Sequence, residues 1–271
     1  MTAPARDAAG ARRAGPWPQR PVPWMKEAHK ALPTRTSTSH PITVSWLDVE
    51  RGESASGCLG LCYCPGKNVV REGVRWSRDL QADLQRLLTV HRVQCVVCLL
   101  SDAELRALGV GRDYAAHVRA AGLELIQLPI IEMFAPEDMS DAVGVIEEVC
   151  ARLERGHRCV LHCRGGVGRA GMLGACLLMR MGICGSVKEA IQLVRRRRCK
   201  RAVESSSQER FISEYARLSS VSVEGTARKR PGQECAGPGG RGAERMAGPD
   251  QVACDAQTED LRKGTKGSGL S

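Results

Sequence analysis

One short segment of the chain contains residues whose types and spacing suit phosphate chemistry. Cys163 is followed six positions later by Arg169, and Gly165, Gly166 and Gly168 lie between them. The backbone N–H groups of a glycine-rich turn that opens a helix can bind an anion, and the helix dipole favours the same charge. A cysteine in that turn would favour the thiolate form and act as a nucleophile. Arg169 could bind two oxygens of a phosphate, so the spacing predicts a phosphate-binding loop with a nucleophile at its base.

The segments on either side of this loop predict a strand before it and a helix after it. The apolar run Cys159–Leu161 precedes the loop, and the apolar segment 172–178 follows it. In open α/β sheets, ligands bind beyond the carboxyl ends of such strands. His162 is predicted to orient the loop through a hydrogen bond, with a buried core histidine as the alternative. The predicted phosphate-binding residues are Arg164, Gly165, Gly166, Val167, Gly168 and Arg169.

Two other ligand classes match parts of the sequence less well. Gly166, Gly168 and Gly171 fit the spacing of a dinucleotide-binding turn. However, the acidic residue about 20 positions on falls inside a predicted helix, and Arg169 would crowd a pyrophosphate. Cys95 and Cys98 have the spacing of zinc ligands, but they lie within an apolar run with no histidine pair nearby. We therefore predict core thiols there and no metal or other cofactor.

The order of the apolar patterns predicts an α/β fold. The predicted strands cover 42–47, 58–63, 94–100, 123–130 and the run that ends at Cys163. The predicted helices cover 77–90 with Ser77 as N-cap, 102–108, 111–121, 140–155, 172 to about 181, 186–197 and 206–218. Strands that alternate with helices and read as continuous apolar runs are typical of a buried parallel sheet. We expect a mainly parallel central sheet flanked by helices.

Composition divides the chain into three parts. Residues 1–40 are rich in proline, alanine and arginine, and residues 219–271 are rich in glycine, serine and charged residues. Neither segment has a sustained apolar pattern that could offset the entropy of ordering it. We predict a single folded domain at 41–218 between two disordered segments.

Charge and cysteine content indicate the class of ligand and the cellular compartment. The net charge is +10, which suits an anionic substrate. Aromatic residues make up only 3% and are not interleaved with the basic runs, so the composition does not favour nucleic-acid binding. The 13 cysteines and the lack of a secretory signal favour the reducing cytoplasm or nucleus, although the arginine-rich start also has features of a transit peptide. We expect no membrane association. The basic run Arg195–Arg201 is either a solvated helix end or a docking patch for an acidic partner.

The cysteine loop resembles that of the protein tyrosine and dual-specificity phosphatases. Four further segments resemble the cyclin-dependent-kinase-associated phosphatase branch and its microbial relatives, and the similarity spans residues 42–217. These segments are Ser45–Leu47, Leu59–Cys62 with Pro65 and Gly66, Trp76–Leu80, and the region from Val194–Arg195 through Gln208–Ile212.

The resemblance implies a protein phosphatase that hydrolyses phosphotyrosine, and also phosphoserine or phosphothreonine if its pocket admits them. Cys163 would form a phosphocysteine intermediate, and Arg169 with the loop amides would stabilise the transition state. No metal is needed. The substrate would be a phosphoprotein, with a cyclin-dependent kinase as the partner by analogy.

Three positions depart from the family pattern. Glu132 stands where the family has its aspartate general acid, and Asp138, or its neighbour Glu137, is the alternative acid. Ala170 stands where most members have a serine or threonine that helps the cysteine leave. Glu204 replaces the water-placing glutamine of many tyrosine phosphatases, with Gln208 as a partial substitute. These changes predict slow release of phosphate, and a low-turnover, phosphoprotein-binding pseudophosphatase is the alternative function.

Overall fold

The computed structural model describes residues 32–47, 57–71 and 73–224, and the compact unit begins at Pro33. Its strands are β1 (Thr34–Thr36), β2 (Ser45–Trp46), β3 (Cys58–Tyr63), β4 (Asn68–Arg71), β5 (Val74–Ser77), β6 (Cys95–Cys98), β7 (Glu124–Gln127) and β8 (Arg158–Cys163). Its helices are α1 (Leu80–Thr89), α2 (Asp102–Ala107), α3 (Tyr114–Ala120), α4 (Met139–Glu154), α5 (Arg169–Arg180), α6 (Val187–Arg197) and α7 (Ser206–Glu224).

The central sheet has five strands in the order β2-β3-β8-β6-β7. β3, β8, β6 and β7 run parallel to one another, and only the edge strand β2 is antiparallel. This confirms the predicted α/β fold with a mainly parallel sheet. The predicted strand 42–47 shortens to β2, and the carbonyl of Ile42 instead accepts a hydrogen bond from Arg86 Nε at 3.2 Å. β8 has neighbours on both sides, so the loop after it leaves from the middle of the sheet.

Helix α5 fixes the far end of that loop. It packs against β3 and β8, and against α4, α6 and α7. Every residue from Arg169 to Leu178 is buried, as expected for a helix covered on all sides. The N-terminus of α5 is therefore held in place by the core. Within the described ranges, no helix is long and apolar enough to cross a membrane.

A second, smaller sheet has the strand order β1-β5-β4, and the sequence pattern does not predict it. Its strands have three or four residues and are partly exposed, so they lack the apolar run that marks a buried strand. The predicted helix start at Ser77 is wrong, because Ser77 ends β5. Asp79 caps α1 instead, and its carboxylate accepts a hydrogen bond from the Ala82 N–H at 2.7 Å.

The ends of the folded region also differ from the prediction. β1 lies within 1–40, so the predicted disorder is wrong for Thr34–Thr36. This polar strand is ordered by its partners, since it pairs with β5 and the Arg35 guanidinium lies 5.2 Å from the ring centre of Trp76. Helix α7 runs past the predicted boundary at 218 to Glu224. Residues 1–31 and 225–271 lie outside the described residues, and their predicted disorder stays a prediction.

A buried ion pair joins the small sheet to α1. Arg78 donates from Nε and Nη2 to the two carboxylate oxygens of Asp83 at 2.8 and 2.7 Å, and the exposed fractions of the two side chains are 0% and 1%. Asp83 also accepts a hydrogen bond from the Gly66 N–H at 2.9 Å. Arg78 reaches the carbonyl of His40 at 2.7 Å. The pair therefore holds three segments that are distant in sequence.

Replacing Asp83 with asparagine should lower the free energy of unfolding by about 3–5 kcal/mol, because the Arg78 charge would stay buried without a counter-ion. The matched control is Glu124→Gln, which breaks the more exposed pair with Arg152 and should cost about 1 kcal/mol or less. Urea unfolding of the two variants measures both values. Equal losses would contradict the role given to the buried pair.

Candidate active site

Cys163 is the last residue of β8, and α5 begins at Arg169. The two are joined by the five-residue loop 164–168, hereafter the cysteine loop. The Cys163 side chain is 4% exposed, and it lies at the carboxyl edge of the sheet beside the N-terminus of a twelve-residue helix. The dipole of that helix favours a negative charge at this point, whether on the thiolate or on a bound phosphate.

The shape of the cysteine loop depends on glycine at two positions. Gly166 has φ +68°, a left-handed conformation, and a Cβ there would overlap the carbonyl of Cys62. A Cβ on Gly168 would overlap the side chain of Glu204. The loop is also tied to the end of β3, because the Cys64 N–H donates to the Arg164 carbonyl at 3.3 Å. Glycine therefore allows the loop to lie close to β3 on one side and to Glu204 on the other.

Arg198 holds the carbonyl groups of the loop outward. Its Nε donates to the Gly166 carbonyl at 3.0 Å, and its Nη2 donates to the Gly165 carbonyl at 3.0 Å. Because each peptide group is planar and trans, the N–H groups of Gly166 and Val167 then point in the opposite direction. This is the orientation needed for an anion site lined by backbone N–H groups.

The basic run that contains Arg198 is therefore more than a solvated helix end or a docking patch. Arg198 is buried and serves the loop, while Arg195 donates to the carbonyls of Ala202 and Val203 at 3.0 and 3.3 Å. The sequence predicts neither set of contacts, while the helix-end interpretation holds for Arg195–Arg197, which lie in the last turn of α6. Composition gives no sign of this, because the exposed Arg196 in the same run has the same residue type.

Arg169 is held through one of its two terminal nitrogens. Its Nη1 donates to the Ile130 carbonyl at 2.6 Å and to the two carboxylate oxygens of Glu104 at 2.8 and 3.1 Å. Nε and Nη2 make no hydrogen bond to the described residues, so both remain for two oxygens of an anion. The side chain is 2% exposed, and Glu104 offsets its buried charge.

Glu104 is a site residue that the sequence pattern does not single out. Its carboxylate also accepts a hydrogen bond from the Ser101 N–H at 3.2 Å, and its own N–H donates to Ser101 Oγ at 3.2 Å. This reciprocal pair caps α2 and fixes the carboxylate that holds Arg169. The sequence signal is the capping box Ser-x-x-Glu, which identifies a helix start but not the partner arginine.

His162 lies behind the loop as a neutral side chain. Its Nε2 is 2.8 Å from the Tyr114 hydroxyl, and its Nδ1 is 3.4 Å from the Cys163 carbonyl. Burial lowers the pKa of His162 to about 4, and the nearby Arg169 charge acts in the same direction. The imidazole is therefore neutral at physiological pH, and both the orienting role and the core-histidine alternative stay predictions.

The two predicted acid residues have different surroundings. Glu132 is exposed, and its carboxylate lies 3.0 Å from Nη1 of Arg164 in the cysteine loop. Asp138 caps α4 by accepting hydrogen bonds from the Ser140 N–H and hydroxyl, both at 2.7 Å. The same two bonds lower the pKa of Asp138. Glu132 thus contacts the loop, while Asp138 is held as a carboxylate at a helix end.

The remaining predicted site residues lie around the start of α5. Ala170 is buried in its first turn. Glu204 and Gln208 both pack against Gly168, and Gln208 Oε1 accepts a hydrogen bond from the Glu204 N–H at 2.8 Å. Gln208 Nε2 is buried, and it has no hydrogen-bond partner among the described residues. Burial raises the pKa of Glu204, against the effects of the Arg201 charge and the Gly168 N–H.

The segment that carries Glu204 is tied to the loop by its backbone. Val203 is β-branched yet has φ +61°, a conformation that such residues rarely adopt. Its N–H donates to the Val167 carbonyl at 3.2 Å. Ser205 then donates from its hydroxyl to the Met133 carbonyl at 2.6 Å, which links the Glu132 turn to α7. The sequence pattern does not predict Ser205 as a site residue.

The cysteines at the predicted zinc spacing lie in the core. Cys95 and Cys98 are free and buried in β6. Across residues 32–47, 57–71 and 73–224, no three histidine, cysteine or acidic side chains are placed to hold a metal ion.

Comparison with known proteins places this fold and loop in a family. A model of the cyclin-dependent kinase inhibitor 3 family matches residues 32–191. The chain belongs to that family. The human cyclin-dependent kinase inhibitor 3 is 28% identical over 175 residues, which cover 65% of this chain and 79% of the human protein. The rat protein is 29% identical with the same coverage.

A solved structure agrees with this assignment. Kinase-associated phosphatase, with its catalytic-site cysteine replaced by serine, superimposes with a TM-score of 0.58 and 26% identity. The match covers 65% of this chain and 95% of that structure. The family member described here therefore has the fold of the dual-specificity class of cysteine-dependent protein phosphatases.

Replacing Gly166 with alanine should lower the free energy of unfolding by about 2 kcal/mol or more, because the left-handed backbone is strained in any L-residue. The new Cβ would also overlap the Cys62 carbonyl. The same change should weaken binding of inorganic phosphate. Gly165→Ala is the matched control, since its Cβ would meet only Val167 Cγ2 at 3.7 Å, and its stability should change by about 0.5 kcal/mol or less. Urea unfolding and calorimetric phosphate titration measure the difference. Similar losses in both variants would contradict this account of the loop.

Proposed function

We propose that this protein hydrolyses phosphomonoesters on protein tyrosine, and on serine or threonine where the pocket admits them, through a phosphocysteine intermediate. One observation carries the proposal. A buried cysteine at the N-terminus of α5 faces a loop whose carbonyls are held outward, beside an arginine with two unused nitrogens. A tetrahedral anion at that point would meet the nucleophile, the backbone N–H groups and a guanidinium fork together.

In the first step the Cys163 thiolate attacks phosphorus. The S–P bond forms while the bond from phosphorus to the substrate oxygen breaks, and Glu132 donates its proton to the leaving oxygen. Arg169 and the loop N–H groups stabilise the negative charge on the equatorial oxygens. Glu104 and the Ile130 carbonyl keep Arg169 in position.

In the second step water attacks the phosphocysteine. Glu132 accepts a proton from the water, the S–P bond breaks, and Cys163 leaves as the thiolate with inorganic phosphate as the product. The hydroxyl that would assist this departure is missing at Ala170. A weaker second step would make the protein a low-turnover binder of phosphoproteins, which is the alternative function that Ala170 and Glu204 favour.

The names of the relatives suggest the class of substrate. The family is named for inhibition of cyclin-dependent kinases, and the matching structure is called a kinase-associated phosphatase. We therefore propose a phosphoprotein substrate, with a cyclin-dependent kinase as one partner. The free cysteines of the described ranges suit a reducing compartment, and we propose the cytoplasm or nucleus.

The decisive experiment compares wild type with Cys163→Ser for hydrolysis of an aryl phosphate. Serine is not ionised at neutral pH, so the substitution should lower kcat by about 10³-fold or more. Wild-type turnover that depends on Cys163 supports the enzyme. Tight phosphopeptide binding without wild-type turnover supports the low-turnover binder, and the lack of both would overturn the proposal.

Replacing Glu132 with glutamine should lower kcat for a phosphopeptide by about 10²- to 10⁴-fold, because the leaving oxygen would lose its proton donor. Asp138→Asn is the control, since asparagine also caps a helix, and kcat should change by less than about threefold. A larger effect of Asp138→Asn would identify Asp138 as the acid.

Replacing Ala170 with serine should speed the second step by about tenfold or more, because the new hydroxyl can stabilise the departing Cys163 thiolate. Single-turnover kinetics with rapid quenching and mass spectrometry would follow the phosphoenzyme. We expect it to accumulate in wild type and to decay faster in the variant. Unchanged turnover, with no phosphoenzyme detected in wild type, would show that this step is not slow.

A further inference from the structure

Exposed apolar side chains are concentrated beside the candidate general acid. Of the seven large apolar residues that are exposed among the described residues, three lie within Ile131–Phe134. Ile131 is 59% exposed, Met133 is 46% exposed and Phe134 is 57% exposed. These three residues are called the apolar rim below. Single exposed apolar residues are common, whereas three within four consecutive positions form a candidate interaction site.

The turn that carries the apolar rim is fixed by hydrogen bonds. The Phe134 N–H donates to the Ile131 carbonyl at 3.0 Å, and Ser205 Oγ donates to the Met133 carbonyl at 2.6 Å. Met133 has φ +68°, a left-handed conformation that is strained for a residue with a side chain. The backbone thus holds the three side chains in solvent even though this conformation is unfavourable for Met133.

The apolar rim borders the point where a phosphate would bind. Glu132 belongs to the same turn and lies 3.0 Å from Arg164 of the cysteine loop. The carbonyl of Ile130, just before the turn, accepts the hydrogen bond from Arg169 at 2.6 Å. A phosphorylated residue in the loop would therefore bring its neighbours in the peptide chain close to the apolar rim.

The charges around the turn favour a peptide over a lipid surface. Glu132, Glu137 and Asp138 are all exposed in the same connection between β7 and α4. These carboxylates would be repelled by an anionic membrane surface and would lose solvation against acyl chains. A single apolar side chain from a peptide can cover the apolar rim without burying them.

We propose that the apolar rim binds an apolar side chain next to the phosphorylated residue of a protein substrate. The inference rests on the proposed function, since it places the phosphorylated residue in the cysteine loop. Covering one leucine-sized side chain here should tighten binding about tenfold, which corresponds to about 1.4 kcal/mol.

The test uses Cys163→Ser as the binding background and fluorescence anisotropy as the readout. Two phosphotyrosine peptides would differ only in having leucine or serine on both sides of the phosphotyrosine. The leucine peptide should bind about tenfold more tightly. Adding Ile131→Ser and Phe134→Ser should remove this preference and leave the affinity for the serine peptide unchanged.

The matched control is Val90→Ser in the same background. Val90 is 56% exposed and follows α1 shortly before β6 begins, so it lies at the opposite edge of the sheet from the cysteine loop. This substitution should leave the leucine preference intact. Thermal unfolding of each variant would check that the fold is retained.

The outcomes separate the two proposals. Equal affinity for both peptides, or a leucine preference that survives the rim substitutions, would overturn the apolar rim alone. Failure of Cys163→Ser to bind any phosphopeptide, with no hydrolysis by wild type, would overturn the proposed function. Binding to phosphatidylcholine vesicles that contain a phosphoinositide, lost in the rim variant, would assign the surface to a lipid instead.

Discussion

The hydrogen bonds from Arg198 to the carbonyls of Gly165 and Gly166 are the constraint on which the candidate site depends. A short glycine-rich loop has many conformations available to it, and most of them do not turn successive N–H groups toward one point. A buried guanidinium on the outer side of the loop limits this freedom because it draws two carbonyls toward itself. The N–H groups then face the inner side, where the Cys163 thiol lies. The cation that shapes the anion site does not itself need to touch the anion.

Three buried polar side chains around the cysteine loop have identified hydrogen-bond partners. Arg169 is paired with Glu104, and Arg198 is bonded to loop carbonyls. His162 stays neutral because burial disfavours its charged form. Net positive charge near the nucleophile is therefore supplied by arginines, which remain protonated under all physiological conditions.

The two half-reactions have unequal support in the structure. Attack on phosphate needs the nucleophile, the loop and Arg169, and the fold holds all three within its core. Release of phosphate needs groups that act after the intermediate forms. At those positions Ala170 has no hydroxyl, and Glu204 places a carboxylate against Gly168. This carboxylate would repel a bound phosphate when it is ionised, although its burial favours the protonated form. The contrast explains why the enzyme and the low-turnover binder remain the two functions to compare.

Local sequence was enough to identify the cysteine loop and the central sheet. The apolar runs at β3, β6 and β8 are long enough to indicate buried strands. The Cys163–Arg169 spacing and the glycines of the loop all lie within one short segment, so the pattern can be recognised there. The sequence pattern does not predict the short strands β1, β4 and β5. They have little apolar patterning of their own and are ordered by pairing with one another and by Arg35 and Arg78.

The same distinction applies to the site. The sequence by itself identified Cys163 as the candidate nucleophile, Arg169 as the arginine of the loop, and Glu132 and Asp138 as the candidate acids, because these residues lie in or near recognisable local patterns. Only the tertiary structure decided that Glu104 holds Arg169, that Arg198 shapes the loop, and that Asp138 caps α4 while Glu132 contacts Arg164. Glu104 and Arg169 are 65 positions apart, and such pairings are set by how the strands and helices pack. A residue's type and its immediate neighbours in the sequence do not determine that packing.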